Sequence, residues 1–212
     1  MHSTAFKAIR IAAIALLVLL TAVIAVLRFA PGRLSEKAVC EAKRSLKSYL
    51  EAHPDEKANT LAVVDFSQPS YMKRMAVIDL RSGKQSFYRV AHGKNSGELF
   101  ARQFSNTPES NMSSLGLFRV TRLYYGEHGL ALRLDGLDSL RNGNTAMRDI
   151  VLHQARYVSI PYILLNIATL HGPMIGRSNG CFAVSTQNIG EVVQKLRAEG
   201  FIYAWSPENR TH

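Results

Sequence analysis

Three hydrophobic patterns succeed one another along the chain, and each predicts a different kind of element. From Ile11 to Leu27, seventeen residues are apolar but for Thr21, with Lys7 and Arg10 before the run and Arg28 and Arg33 after it. A membrane span takes about 20 residues and a signal-peptide core about 7–15, so the run falls between the two. Arg28 stands two positions before Ala30, which spoils a small-x-small cleavage site. Residues 1–30 are therefore read as an uncleaved N-terminal membrane anchor in preference to a cleaved signal segment. The balanced flanking charges leave its orientation open.

Residues 31–58 have a different rhythm. Val39, Ala42, Leu46, Tyr49 and Leu50 recur at helical spacing, Ser35 is placed as an N-cap, and Pro54-Asp55 end the run. An amphipathic helix over Ser35–Ala52 is predicted, either a stalk or a helix packed against the domain C-terminal to it. From Asn59 the period shortens to two. Leu61–Phe66, Arg74–Leu80, Gln85–Val90, Leu130–Leu134, Ile150–His153 and Phe201–Trp205 read as strands, with Ser82-Gly83-Lys84 as a turn. Ile189, Val192, Val193 and Leu196 form the stripe of a helix entered at Ser185 and stopped by Gly200. Many short strands with one or two helices predict a mainly β sandwich or barrel over residues 59–207, with 208–212 as a tail.

Composition changes this picture little. At 47% hydrophobic, 212 residues can bury one core. The net charge of +10 suits an anionic polymer or a lipid surface. Lys and Arg stand singly among apolar residues, and neither a helix-turn-helix pattern nor zinc spacing occurs, so nucleic acid is not an expected partner and no metal is expected.

Candidate chemistry gathers in Gly176-Arg177-Ser178-Asn179-Gly180-Cys181. A nucleophilic thiol needs a chain that bends sharply, nearby positive charge, and backbone N–H groups free to hold an oxyanion. Glycine on both sides of the segment, Arg177, and the N–H groups of Gly180 and Cys181 can supply them. Ser178 can bond the turn or a histidine. Cys40, the second cysteine, is read as a packed helix residue, and a bridge between Cys40 and Cys181 stays open. His153 lies 28 residues before Cys181 and His171 ten before it, so two histidines compete as the base.

Several stretches together resemble the murein L,D-transpeptidase catalytic-domain family, in the branch with an Arg-Ser-x-Gly-Cys turn. They are Val64–Ser70, Arg74–Asp79, Val90–Gly97, Phe104–Asn106, Ser113–Gly116, Leu132–Leu137, Val151–His153 and Gly176–Val184, spanning roughly residues 60 to 205. The resemblance implies a β-sandwich or barrel acting on peptidoglycan at the extracytoplasmic (periplasmic) face of the cytoplasmic membrane, without a cofactor. It implies a Cys181 thiolate that attacks a diaminopimelate carbonyl of a donor stem peptide, expels D-alanine and leaves a thioester. An amine of a second stem peptide, or water in an L,D-carboxypeptidase, would resolve it. It favours His153 as base and makes carbapenems the expected acylating inhibitors.

Arg177 can raise the thiolate population or meet a diaminopimelate carboxylate, and Asn179 can change substrate contacts. The His92-Gly93-Lys94-Asn95-Ser96-Gly97 loop either lines the substrate cleft or is an ordinary connection, Asn106, Ser113 and Ser114 read as loop residues of the same cleft, and Asp135 fixes a turn in one of the stretches that carry the resemblance. Three positions depart from it. Gln154 follows His153 where glycine is usual, Asn179 replaces a bulkier residue or histidine, and Phe182 replaces proline. The first departure keeps His171-Gly172 in view as a functional substitute. Together with the second it keeps open a catalytically inactive murein-binding module.

Overall fold

The computed structural model describes residues 2–127 and 129–207; the predicted tail at 208–212 lies outside them. Two compact units are present, residues 1–31 and 32–212. The first is a helix, α1 (His2–Phe29), longer at both ends than its apolar run. Phe6–Phe29 is long and apolar enough to cross a membrane.

The second unit begins with α2 (Glu36–Ala52) and continues with β1 (Thr60–Asp65), β2 (Met75–Asp79) and β3 (Gln85–Tyr88). After a 3-10 turn at Lys94–Ser96 come β4 (Gly116–Gly126), β5 (Gly129–Gly136) and β6 (Val151–Ala155). Helix α3 (Ile160–Ala168), β7 (Phe182–Ser185), α4 (Ile189–Leu196) and β8 (Gly200–Trp205) complete it. The strands form one sheet in the order β3-β2-β1-β8-β4-β5-β6-β7, parallel at β1/β8 and β6/β7. The sheet curls until its edges meet: just after β3, the Ala91 N–H donates to the Ala183 carbonyl of β7 at 2.8 Å. Of the predicted sandwich or barrel, the single curled sheet is the barrel.

The sheet is apolar on both faces, which explains its two covers. Inside the curl, Val64, Phe66, Phe118, Leu132, Leu152 and Phe182 pack with the α4 stripe of Ile189, Val192, Val193 and Leu196. Outside it, Leu61, Val63, Ile78, Phe201 and Tyr203 pack against Ala38, Ala42 and Leu46 of α2. All six residues of β1 are buried as a result. Exposing that outer face would cost about 25 cal/mol per Å² of apolar surface, so α2 is part of the barrel and does not stand off as a stalk. Polar bonds fix its position. Ser35 Oγ accepts the Ala38 N–H at 3.2 Å as the predicted N-cap, the Ser35 N–H donates to Asp65 Oδ2 at 2.8 Å, and Trp205 Nε1 donates to Glu41 Oε2 at 2.9 Å.

Three α-helices lie beyond the anchor among the described residues where one or two were expected; α3 and strands β4 and β7 are the elements added. Helix α4 starts after Asn188, not at Ser185, and Gly200 opens β8 instead of stopping the helix. Both cysteines are free, so no bridge joins them. Cys40 lies on α2 but is exposed, not packed.

Candidate active site

The Gly176–Cys181 turn is built around Gly180 and Ser178. Gly180 is buried at φ +121°, and a Cβ there would lie 2.8 Å from the Met112 carbonyl oxygen, so conformation and space both require glycine. Ser178 Oγ accepts the Gly180 N–H at 3.1 Å and donates to the Cys181 carbonyl at 2.7 Å. The predicted role of Ser178 in bonding the turn is thus the observed one. The same bond corrects the expectation for Gly180, whose N–H is taken up inside the turn and not held open for an oxyanion.

The turn is braced from behind by the glycine-rich loop. The Ser178 N–H donates to the His92 carbonyl at 2.9 Å, and the Lys94 N–H donates to the Ser178 carbonyl at 2.8 Å. The parallel pairing of β6 with β7, Leu152 opposite Phe182, then carries His153 to the same end of the barrel as Cys181. His153 and Cys181 line one cleft of about 760 Å³ together with Gln154, Tyr157, Arg177 and Asn179. Gly126, Glu127 and Gly129 of the β4–β5 turn also border it.

The tautomer of His153 is set by its bond. Its Nδ1 is 2.8 Å from the Gln154 carbonyl, which can only accept, so Nδ1 carries a hydrogen and the neutral ring has its lone pair on Nε2. Cys181 Sγ donates to the Asp149 carbonyl at 3.4 Å. Burial pushes the Cys181 thiol above its ordinary pKa, against the pull of the Val151 N–H, the Arg148 guanidinium and its own N–H.

A profile of the L,D-transpeptidase catalytic domain matches residues 32–205, a span that takes in α2, His153 and the Cys181 turn. The chain belongs to the L,D-transpeptidase catalytic-domain family. A search of curated proteins returns no match. Among solved structures, an L,D-transpeptidase from Mycobacterium smegmatis is similar at 13% identity and a TM-score of 0.43, over 70% of this chain and 59% of that one. L,D-transpeptidase 3 from Mycobacterium tuberculosis is similar at 10% identity and a TM-score of 0.42, over 70% of this chain and 61% of that one. The chain therefore spans less than two thirds of the length of either structure.

Within this L,D-transpeptidase domain, the remaining expected site residues separate. His171 is exposed beyond α3, bonded through Nδ1 to Thr169 Oγ1 at 3.0 Å, and does not line the cleft. His92 is fully buried behind the turn and does not line it either. Asn106 staples a neighbouring loop, accepting the Asn144 N–H at 2.9 Å and donating to the Ser139 carbonyl at 3.3 Å. Ser113 and Ser114 are buried, with Ser113 Oγ accepting the Gly93 N–H at 3.0 Å and Ser114 Oγ donating to the Ser105 carbonyl at 3.0 Å. Asp135 is a strand residue of β5 paired with Arg119 at 3.1 Å, not a turn residue. Arg177 borders the cleft, but its Nη1 donates to the Lys94 and Gly97 carbonyls at 3.3 and 3.1 Å. Gln154 fills space over the β4–β5 turn, since a Cβ on Gly129 would lie 2.3 Å from its Nε2.

Sequence reasoning missed Arg148, whose guanidinium lies against the Gly180 turn and whose charge favours the Cys181 thiolate. Its partners lie 34 to 43 residues away, so no local motif announces it. Among the described residues, no group of three His, Cys, Asp or Glu side chains is arranged to hold a metal ion.

Proposed function

We propose that the domain is a peptidoglycan L,D-transpeptidase that works through a thioester on Cys181, at the outer face of a membrane in which the Phe6–Phe29 helix anchors it. The observation that carries this reading is a thiol and a histidine with a lone pair on Nε2 in one cleft of a domain of this family. His153 Nε2 takes the thiol proton as Sγ attacks the diaminopimelate carbonyl of a donor stem peptide. The bond to D-alanine breaks, the imidazolium returns the proton to the leaving amine, and an acyl-cysteine remains. An acceptor amine then attacks the thioester, passes its proton to His153 and frees the sulfur, which regains a proton.

Burial favours the thiol, so the reaction needs a base in the cleft to take its proton, and His153 is placed there. With the Gly180 N–H occupied, the Cys181 N–H is the donor left in the turn for the developing oxyanion. Arg156 and Arg177 border the cleft and suit the carboxylates of a stem peptide.

The test is the intact mass of the full chain in detergent after incubation with a carbapenem, beside Cys181→Ala. One adduct that the substitution abolishes is expected. No adduct on fully reduced protein would overturn the reading and leave an inactive murein-binding module. A second assay with donor and acceptor peptides separates transpeptidase from L,D-carboxypeptidase by product: a cross-linked dimer is expected, and shortened donor alone would overturn transfer.

A further inference from the structure

One charge packed against the Cys181 turn from outside it has no anion to answer it. Arg148 Nη1 donates to the Ser105 carbonyl at 2.6 Å and to Ser114 Oγ at 2.5 Å, while Nη2 donates to the Met112 carbonyl at 2.5 Å and to Ser110 Oγ at 3.2 Å. All four acceptors are uncharged. Among the described residues no carboxylate pairs with this guanidinium, and the adjacent Asp149 is bridged to Arg133 at 3.4 Å. The side chain is half-buried, and Nη2 lies 3.1 Å from where a Cβ on Gly180 would stand, directly against the turn that carries the thiol. A cation that is partly desolvated and bound only by neutral oxygens is costly unless a negative charge forms beside it.

We propose that Arg148 is a positioning residue for Cys181: its guanidinium supplies the positive charge that the sulfur meets as it becomes thiolate, and it pins the 105–114 loop beneath the Gly180 turn. This deepens the reading of Cys181 as nucleophile and rests on it. Arg177, assigned that role from the sequence, is drawn instead to the Lys94 and Gly97 carbonyls and to Glu98 at 4.0 Å. The influence is mutual, since burial lowers the Arg148 pKa and Cys181 raises it.

Other groups face the sulfur as well. Asp149 works against the thiolate. Tyr124 of β4 and Tyr157 after β6 have phenols that burial raises, which favours their neutral form. His153 of β6, Glu127, Arg156 and Arg177 border the cleft. None of these residues is substituted along with Arg148, and the lysine variant separates its charge from its hydrogen bonds to the loop.

The experiment measures alkylation of Cys181 by iodoacetamide from pH 6 to 10, on the full chain in detergent with Cys40→Ser to silence the exposed thiol. Arg148→Gln and Arg148→Met both remove the charge, so one suffices if the other fails to fold; Arg148→Lys restores it. The neutral variants are expected to move the rate profile up by about one pH unit, which is about tenfold slower at pH 7.5, with an unchanged slope against pH. Arg148→Lys is expected to recover at least half of that shift. A neutral variant whose profile overlays the parent, or a lysine variant shifted as far as the neutral ones, would overturn the assignment. Iodoacetamide needs no stem peptide, so failure of carbapenem acylation sinks the proposed function while leaving this result to stand or fall alone.

Discussion

Two arginines sit beside titratable partners in this barrel, and they differ in what answers their charge. Arg74 is fully buried, donating from Nε and Nη2 to the Val90 carbonyl at 3.2 and 3.0 Å and from Nη1 to the Gln68 carbonyl at 3.0 Å. Its Nη2 also donates to His92 Nδ1 at 2.6 Å, the guanidinium lies 5.1 Å over the Phe66 ring, and the charge of Asp65 supports it. Burial still pulls Arg74 down to about 9. His92 gives its Nε2 hydrogen to the Gly97 carbonyl at 3.1 Å, so both ring nitrogens are used. Burial and the adjacent guanidinium push its pKa down to about 3.

Arg148 has no such closure, and neither does the thiol beside it. Its neighbour His153, unlike His92, borders a cleft. A histidine fixed on both sides between a cation and a carbonyl is scaffold; one whose tautomer is set while it borders open space can move protons.

The largest expected effect breaks this comparison on its open side. His153→Gln should slow acylation of Cys181 by about 10²–10⁴, while His171→Gln leaves it unchanged. Rates of carbapenem adduct formation by mass spectrometry check both, and equal losses would reverse the assignment. On the closed side, Arg74→Met orphans the Val90 and Gln68 carbonyls and should cost about 3 kcal/mol, read as a Tm lower by roughly 6–12 °C.

The pH dependence sharpens the contrast. Folded His92 takes its proton only near pH 3, against 6.5 for an ordinary histidine, so between those values unfolding takes up a proton and stability falls as pH falls. At pH 5 this amounts to about 2 kcal/mol. His92→Gln, which can accept from Arg74 and donate to Gly97, should flatten that part of a Tm-versus-pH curve. The smallest effect is Gly180→Ala, about 1–2 kcal/mol of backbone strain, with acylation reduced more than stability because the turn shifts off Met112. A variant with full acylation would show that the +121° conformation is dispensable.

Much of the barrel was legible because its signals are local. The Ser35 cap, the α2 stripe, the apolar runs of β1 and β2 and the alternation of β5 each lie within one segment. Strand β4 escaped because its register shifts between Val120 and Arg122, which breaks the alternation that marks a strand. Helix α3 escaped because Ile160–Ala168 is nearly all apolar and shows no polar face to set a period. At the site, glycine at 180 and the pairing of Ser178 with its own turn come from neighbours in sequence. The split between His92 and His153 does not, since it depends on whether a guanidinium 18 residues away or a cleft lies against the ring.

Strand β8 lies at the centre of the sheet, parallel to β1 and antiparallel to β4, although it is the last strand in the chain. Thr60 pairs with Gly200 and Asp65 with Trp205, contacts separated by 140 residues. The order of synthesis and the order of assembly are therefore opposed. A chain leaving the ribosome or a translocation pore has both halves of its sheet but no middle, and α2 has only part of the surface it will cover. High contact order of this kind slows folding and exposes strand edges while it lasts. Until residues 200–205 arrive, the emerging chain is a client for whatever shields unpaired strands.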